Sequence, residues 1–125
     1  MAKSVHNDIL DAALNYIKTY ATRIAVDNAE PTTYTQLITT YMLVLKTISS
    51  SDFTGPADGD SSGRKLTSNQ HSTVTITNSG TASHIGLGDS GSSKLLFVTT
   101  CTNQALTATN TVTIPSWKIE IGDPT

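Results

Sequence analysis

Charge is what this chain has least of. Only 14% of its residues are charged, the net charge is −2 and the pI is about 5.8. The eight basic residues are scattered, with Arg64 and Lys65 the only adjacent pair, so the clustered positive footprint of a DNA- or RNA-binding surface is missing. Cysteine is limited to Cys101, which excludes an intrachain disulfide and a multi-cysteine zinc site. Cys101 continues the parity of Leu95, Phe97 and Thr99 and reads as a small buried hydrophobe. No run of about 18 apolar residues could span a membrane. Asp8 and Asp11 interrupt what would be the apolar part of a leader, so the expectation is a chain made in the cytoplasm and soluble there.

What the chain has in excess is hydroxyl: 36 of its 125 residues are Thr or Ser. Thr is β-branched and tolerates a half-wet pleated surface, so the bias favours strands with hydroxyl-covered outer faces. The short apolar runs Ala82–Leu87, Lys94–Thr100, Gln104–Ala108, Thr111–Ile114 and Trp117–Ile121 are separated by Gly, Asp, Ser, Asn or Pro, the spacing of an antiparallel sheet with tight turns. The fold expected is mainly β, an antiparallel β-sandwich or barrel with one N-terminal α-helix. It forms a single domain over residues 1–125, with a helix at 4–20 and a β-rich body at 22–125.

The helix is expected from Ser4, a good N-cap, to Tyr20, with Ile9, Leu10, Ala13, Leu14, Ile17, Tyr20 and Ala21 forming its apolar face. Thr22–Asn28 switches to period two, with Ile24 and Val26 inward and Arg23 and Asp27 as more polar neighbours. Thr32–Thr40 has room for a short helical turn, and Tyr41–Lys46 reads as a buried strand. Residues 49–63 read as a loop whose one large apolar residue, Phe53, either anchors it to the core or enters a partner's pocket. In Ser72–Asn78, Val74 and Ile76 point inward. Gly86 and Gly88 would let another backbone approach closely. Leu95–Val98 is apolar on both parities, as expected of a central strand or of one covered by a partner.

Three motifs suggest chemistry. Gly88-Asp89-Ser90-Gly91 matches the surroundings of a serine-protease nucleophile, but His6, His71 and His84 show no partner pattern for a triad, and the same residues suit a hairpin loop. Asp58-Gly59-Asp60-Ser61-Ser62-Gly63 resembles half a calcium loop. Asn69 stands where the bidentate Glu is required, so a solvated turn is the simpler reading. His84 has no second His or Cys at ligand spacing. No catalytic, cofactor or metal set emerges, and a non-enzymatic protein is expected.

Ala21-Thr22-Arg23-Ile24, Ala29-Glu30-Pro31-Thr32-Thr33-Tyr34, Pro56-Ala57-Asp58-Gly59-Asp60 and Gly63-Arg64-Lys65-Leu66 occur in that order. Ala82-Ser83-His84-Ile85, Lys94-Leu95-Leu96 and Thr111–Ile121 follow. Together, from about Ser4 to Pro124, they resemble a family of small virion structural proteins of tailed bacteriophages. The resemblance implies a β-rich capsid decoration or cement protein on the outside of the major capsid shell. Its partners would be the major capsid protein and its own copies, as a homotrimer, with neither nucleic acid nor membrane bound. Candidate contact residues on that reading are Ile9, Tyr16, Tyr20, Phe53, Arg64 and Lys65. A tail, fibre or head-to-tail connector component and a host-surface or carbohydrate-binding β-sandwich are the alternatives.

Overall fold

The computed structural model describes residues 3–125. One helix, α1 (Asn7–Tyr20), precedes nine strands: β1 (Arg23–Asp27), β2 (Met42–Thr47), β3 (Phe53–Asp58), β4 (Arg64–Ser68), β5 (His71–Thr75), β6 (Gly80–Asp89), β7 (Lys94–Leu106), β8 (Thr111–Ile114) and β9 (Trp117–Ile121). A turn of π-helix lies at Gln36–Thr40 and a 3₁₀ turn at Ser50–Asp52. All strand pairs are antiparallel. They form a four-stranded sheet in the order β2-β1-β6-β7, a three-stranded sheet β3-β4-β9 and a pair β5-β8. The architecture is mainly β, in the sandwich or barrel class.

The inner faces meet in one core. Ile24, Val26, Val44, Ile85, Leu87 and Leu106 from the four-stranded sheet join Phe53, Leu66, Val74, Ile114 and Ile119 from the other strands and Ile76 just after β5, and Leu14 of α1 with Ala21 just after it closes one side. Full burial of each large aliphatic side chain contributes about 1.5–3 kcal/mol. In α1, Leu10 and Leu14 are buried, while Ile9 and Tyr20, expected on the same face, are exposed. The helix starts later than Ser4: His6 is the N-cap, its Nδ1 accepting from the Asp8 N–H at 3.1 Å. An imidazole nitrogen here takes the place of the usual hydroxyl or carboxylate oxygen, which composition rules do not anticipate.

The outer face of the four-stranded sheet is covered by the segment between β1 and β2. Gln36 reaches back to accept from the Thr32 N–H (2.7 Å) while the Thr33 hydroxyl accepts from the Gln36 N–H (3.1 Å), a reciprocal cap that starts the turn. Leu37, fully buried, then lies on the glycines of β6. A methyl group at Gly86 would stand 2.6 Å from Leu37 Cδ1 and 3.1 Å from the Phe97 carbonyl oxygen, and one at Gly88 would stand 2.9 Å from the Tyr34 ring. The close approach expected at these glycines is therefore made by side chains and not by another backbone.

Three expectations need correction. The loop at 49–63 contains a 3₁₀ turn and the strand β3, and its Phe53 is buried in the core. The runs Lys94–Thr100 and Gln104–Ala108 are parts of one strand, β7, which continues through a bulge. β7 is not central: it is an edge strand with Leu95–Val98 half-buried, and Cys101 is likewise half-buried.

Gly86→Ala should destabilise the fold by about 1–3 kcal/mol, because the buried Leu37 side chain must shift while the Phe97 carbonyl already crowds the added methyl. Urea unfolding followed by circular dichroism gives the number, and a change under about 0.5 kcal/mol would show that the contact is slack.

Candidate functional site

Residues 9, 16 and 20 are seven and four apart, so on a helix of 3.6 residues per turn they fall on one line. Ile9 is 64% exposed, Tyr16 43% and Tyr20 46%, and Ala13, also exposed, lies between them. The Tyr16 and Tyr20 rings rest together with centroids 4.6 Å apart. α1 is thus apolar on two sides, and the stripe turned away from the core has no partner within the described chain.

The helix carrying this stripe is held in place. Arg64 of β4 grips Asp11 with two hydrogen bonds, Nε to Oδ1 at 2.8 Å and Nη2 to Oδ2 at 3.3 Å, while its Nη1 donates to Asp58 at 2.6 Å. Such paired contacts fix orientation as well as distance. Their hydrogen bonds, that of Asp11 first, hold the guanidinium pKa above its ordinary value. Lys18 adds a 2.8 Å hydrogen bond to the Gly55 carbonyl. Of the six contact candidates, Phe53 belongs to the core, Arg64 serves as this clamp and Lys65 pairs with Asp60 at 2.7 Å. Ile9, Tyr16 and Tyr20 are brought together on the surface.

The tempting motifs are occupied by structural bonds. Asp89 accepts from the Gly91 N–H (2.9 Å) and the Ser92 hydroxyl (2.6 Å), closing the β6–β7 hairpin; these bonds, led by that of Ser92, lower its pKa. Ser90 bonds to the Thr22 hydroxyl at 2.8 Å, and His84 is engaged by Ser83 at 2.8 Å. The acidic turn before β4 is likewise folded onto cations. Asp60 accepts from Lys118 and Lys65, whose hydrogen bonds lower its pKa to about 2, and its own N–H donates to Glu120 at 2.8 Å. Asn69 is bonded to Thr54 at 2.8 Å. Among the described residues no group of three His, Cys, Asp or Glu side chains is placed to hold a metal.

Sequence reasoning missed the buried polar groups. Asp27, expected to be a polar neighbour of inward residues, is fully buried, and neither carboxylate oxygen has a hydrogen-bond partner. It sits opposite a bulge in β2, in register with Met42 of β2 and His84 of β6, and shares the parity of Arg23 and Ala25, which face the glycines that Leu37 covers. Burial pushes its pKa from 3.8 up to about 7. Ser68 Oγ, His71 Nε2 and Trp117 Nε1 are also buried without partners. Asp52 lies 4.0 Å from His71 Nδ1, too far for a hydrogen bond, and Ser68 is closed to solvent, so these three make no working triad. The signal for Asp27 was its place: it extends an Ile-Ala-Val strand by one residue and so shares that strand's cover.

No protein-family model, no curated protein and no solved structure matches this chain.

Two outcomes follow from these groups. The folded chain holds the Asp27 proton up to about pH 7, whereas the unfolded chain releases it near 3.8. The contribution of Asp27 to stability is therefore greatest below pH 3.8 and is lost as the pH rises through 7. His71, pushed below its ordinary 6.5 by burial, acts with the opposite slope below pH 6.5, so the Asp27→Asn variant is needed to isolate the carboxyl. From about pH 4 to about pH 8, wild type should lose roughly 3 kcal/mol relative to that variant; parallel stability curves would refute the assignment. Added calcium should leave the melting temperature unchanged, since cationic side chains already engage Asp58 and Asp60.

Proposed function

We propose that this chain is a non-enzymatic structural protein of a tailed-phage virion, a capsid decoration or cement protein that binds the outside of the major capsid shell. The observation that carries the reading is the Ile9–Tyr16–Tyr20 stripe, an apolar line exposed on a helix clamped to a β-rich body. Aromatic side chains on a pre-positioned helix are the kind of anchor that dominates binding energy at protein interfaces, because little entropy remains to be lost on docking. The resemblance to small virion proteins points the same way, as does a surface rich in hydroxyls and poor in charge. On this reading the copies meet at local threefold positions of the shell as homotrimers, and attachment leaves the β-body outermost.

The test uses phage heads depleted of the protein and the purified chain added back. Tyr16→Ser and Tyr20→Ser should each weaken binding about tenfold or more while leaving the melting temperature within the range of an ordinary surface substitution. Restored heads should withstand a higher temperature than depleted ones if the protein cements. Undiminished binding by both variants would end the role of α1. Copies too few to match the capsid subunits would favour a tail, fibre or connector position.

A further inference from the structure

Every strand at a sheet edge is closed or blunted by the chain itself, except one. On β2, the Leu43 carbonyl accepts from the N–H groups of Thr77 (2.8 Å) and Asn78 (3.1 Å), the Asn78 side chain donates to the Met42 carbonyl at 2.9 Å, and Lys46 adds a charge. β3 carries Pro56 and a bulge between Thr54 and Ala57. β9 carries Lys118 and Glu120. β5 is bulged, and β8 has four residues and stops at Pro115. Charges, prolines, bulges and short length are the devices that keep edges from pairing with other chains.

β7 lacks most of them. It is the longest strand, at 13 residues, and pairs on one side only, with β6. Among the described residues no backbone hydrogen bond outside that ladder reaches Lys94–Leu106. From Leu95 to Trp117 there is no charged residue, and no proline before Pro115. Bulges at Leu96 and between Thr100 and Gln104 leave Phe97–Thr100 as the regular run facing outward along the edge. Leu95, Leu96, Phe97 and Val98 are all half-buried, so apolar surface is exposed on both faces of the strand. Beside Cys101 a groove of about 180 Å³ runs between β7 and β8, lined by Val26, Ile85, Leu106, Val112 and Ile114.

We propose that β7 is a homotypic docking edge. Two copies pair β7 against β7, antiparallel, about a two-fold axis near Val98 or Thr99, joining their four-stranded sheets into one. A second copy is the fitting occupant on two grounds. An open antiparallel strand is its own complement, because a two-fold axis sets each outward N–H against an outward C=O. Beyond Lys94 at its start the strand carries no charge, so nothing along the regular run repels an identical edge or selects a foreign partner of opposite sign. The regular run is short, so the contact is concentration-dependent rather than permanent. It is independent of the shell-binding reading, and it is a contact between two copies, which does not by itself build a trimer.

The test is sedimentation velocity with light scattering on the full chain, from about 10 μM to about 1 mM, comparing wild type with Thr100→Lys and Thr100→Val. Thr100 is exposed, so neither change touches the core, and equal melting temperatures at the lowest concentration confirm that all three fold. Wild type and Thr100→Val should pass from monomer to dimer as concentration rises. Thr100→Lys should shift that midpoint upward at least tenfold, and alkylation of Cys101, beside the paired edge, should slow in step with dimer formation. A wild-type chain that stays monomeric throughout, or a dimer or trimer that Thr100→Lys leaves unchanged, overturns the proposal. A trimer indifferent to Thr100→Lys would still leave shell binding through α1 intact, whereas a β7 dimer with no affinity for heads would uphold the edge and remove the shell.

Discussion

Ile24 of β1 and Leu87 of β6 stand opposite each other in the ladder, both without solvent exposure, and the two strands are covered on both faces. The inner cover is the shared core. The outer cover is Leu37, which reaches the sheet because Gly86 and Gly88 offer no side chain to hold it off. Each half requires the other. Without the glycines the 31–40 segment would have no seat, and without Leu37 the backbone of the central strands would be open to water. A backbone polar group stripped of its ladder partner and still buried costs more than a typical hydrogen bond returns.

Asp27 has the parity of that outer face and is fully buried. A carboxyl with no hydrogen-bond partner in a closed site is a standing cost, met here by holding its proton and not by an ion pair. The arrangement contrasts with the opposite side of the molecule, where Asp11, Asp58 and Asp60 are each matched to Arg64, Lys65 or Lys118. There the partly covered pairs fasten α1 and the 58–63 turn to β4 and β9, so the few charges the chain possesses are used mainly to join its own parts. Its free surface is left to Thr, Ser and a small number of apolar residues. Contact through such a surface depends on shape and burial, and the two-sided α1 and the open β7 are where this chain offers both.

Much of the architecture was legible in advance for a simple reason. Where one face of an element is buried and the other wet, the period of the apolar residues reports the element directly: Val74 and Ile76 inward between Thr73, Thr75 and Thr77, or Ile119 between Lys118 and Glu120. That rule fails where burial does not follow period. Ile9 and Tyr20 repeat at helical spacing with Leu10 and Leu14, yet they point outward, because spacing records which residues share a side and not which side has a partner. β7 was ambiguous in the converse way: apolar on both parities, it suggested a central strand or one covered by a partner, and it lies at an edge.

The sequence by itself determined a mainly β chain led by one helix, the main breaks between its elements and the inward parity of its final strands. Those features depend on neighbours within a few residues. The tertiary structure alone decided that Asp27 is sealed without a partner, that Arg64 is a clamp, that Phe53 is core, and that the Ile9–Tyr16–Tyr20 stripe and the β7 edge are left open. Each of these depends on what chain-distant residues place against a given side chain, and a linear pattern carries no record of that.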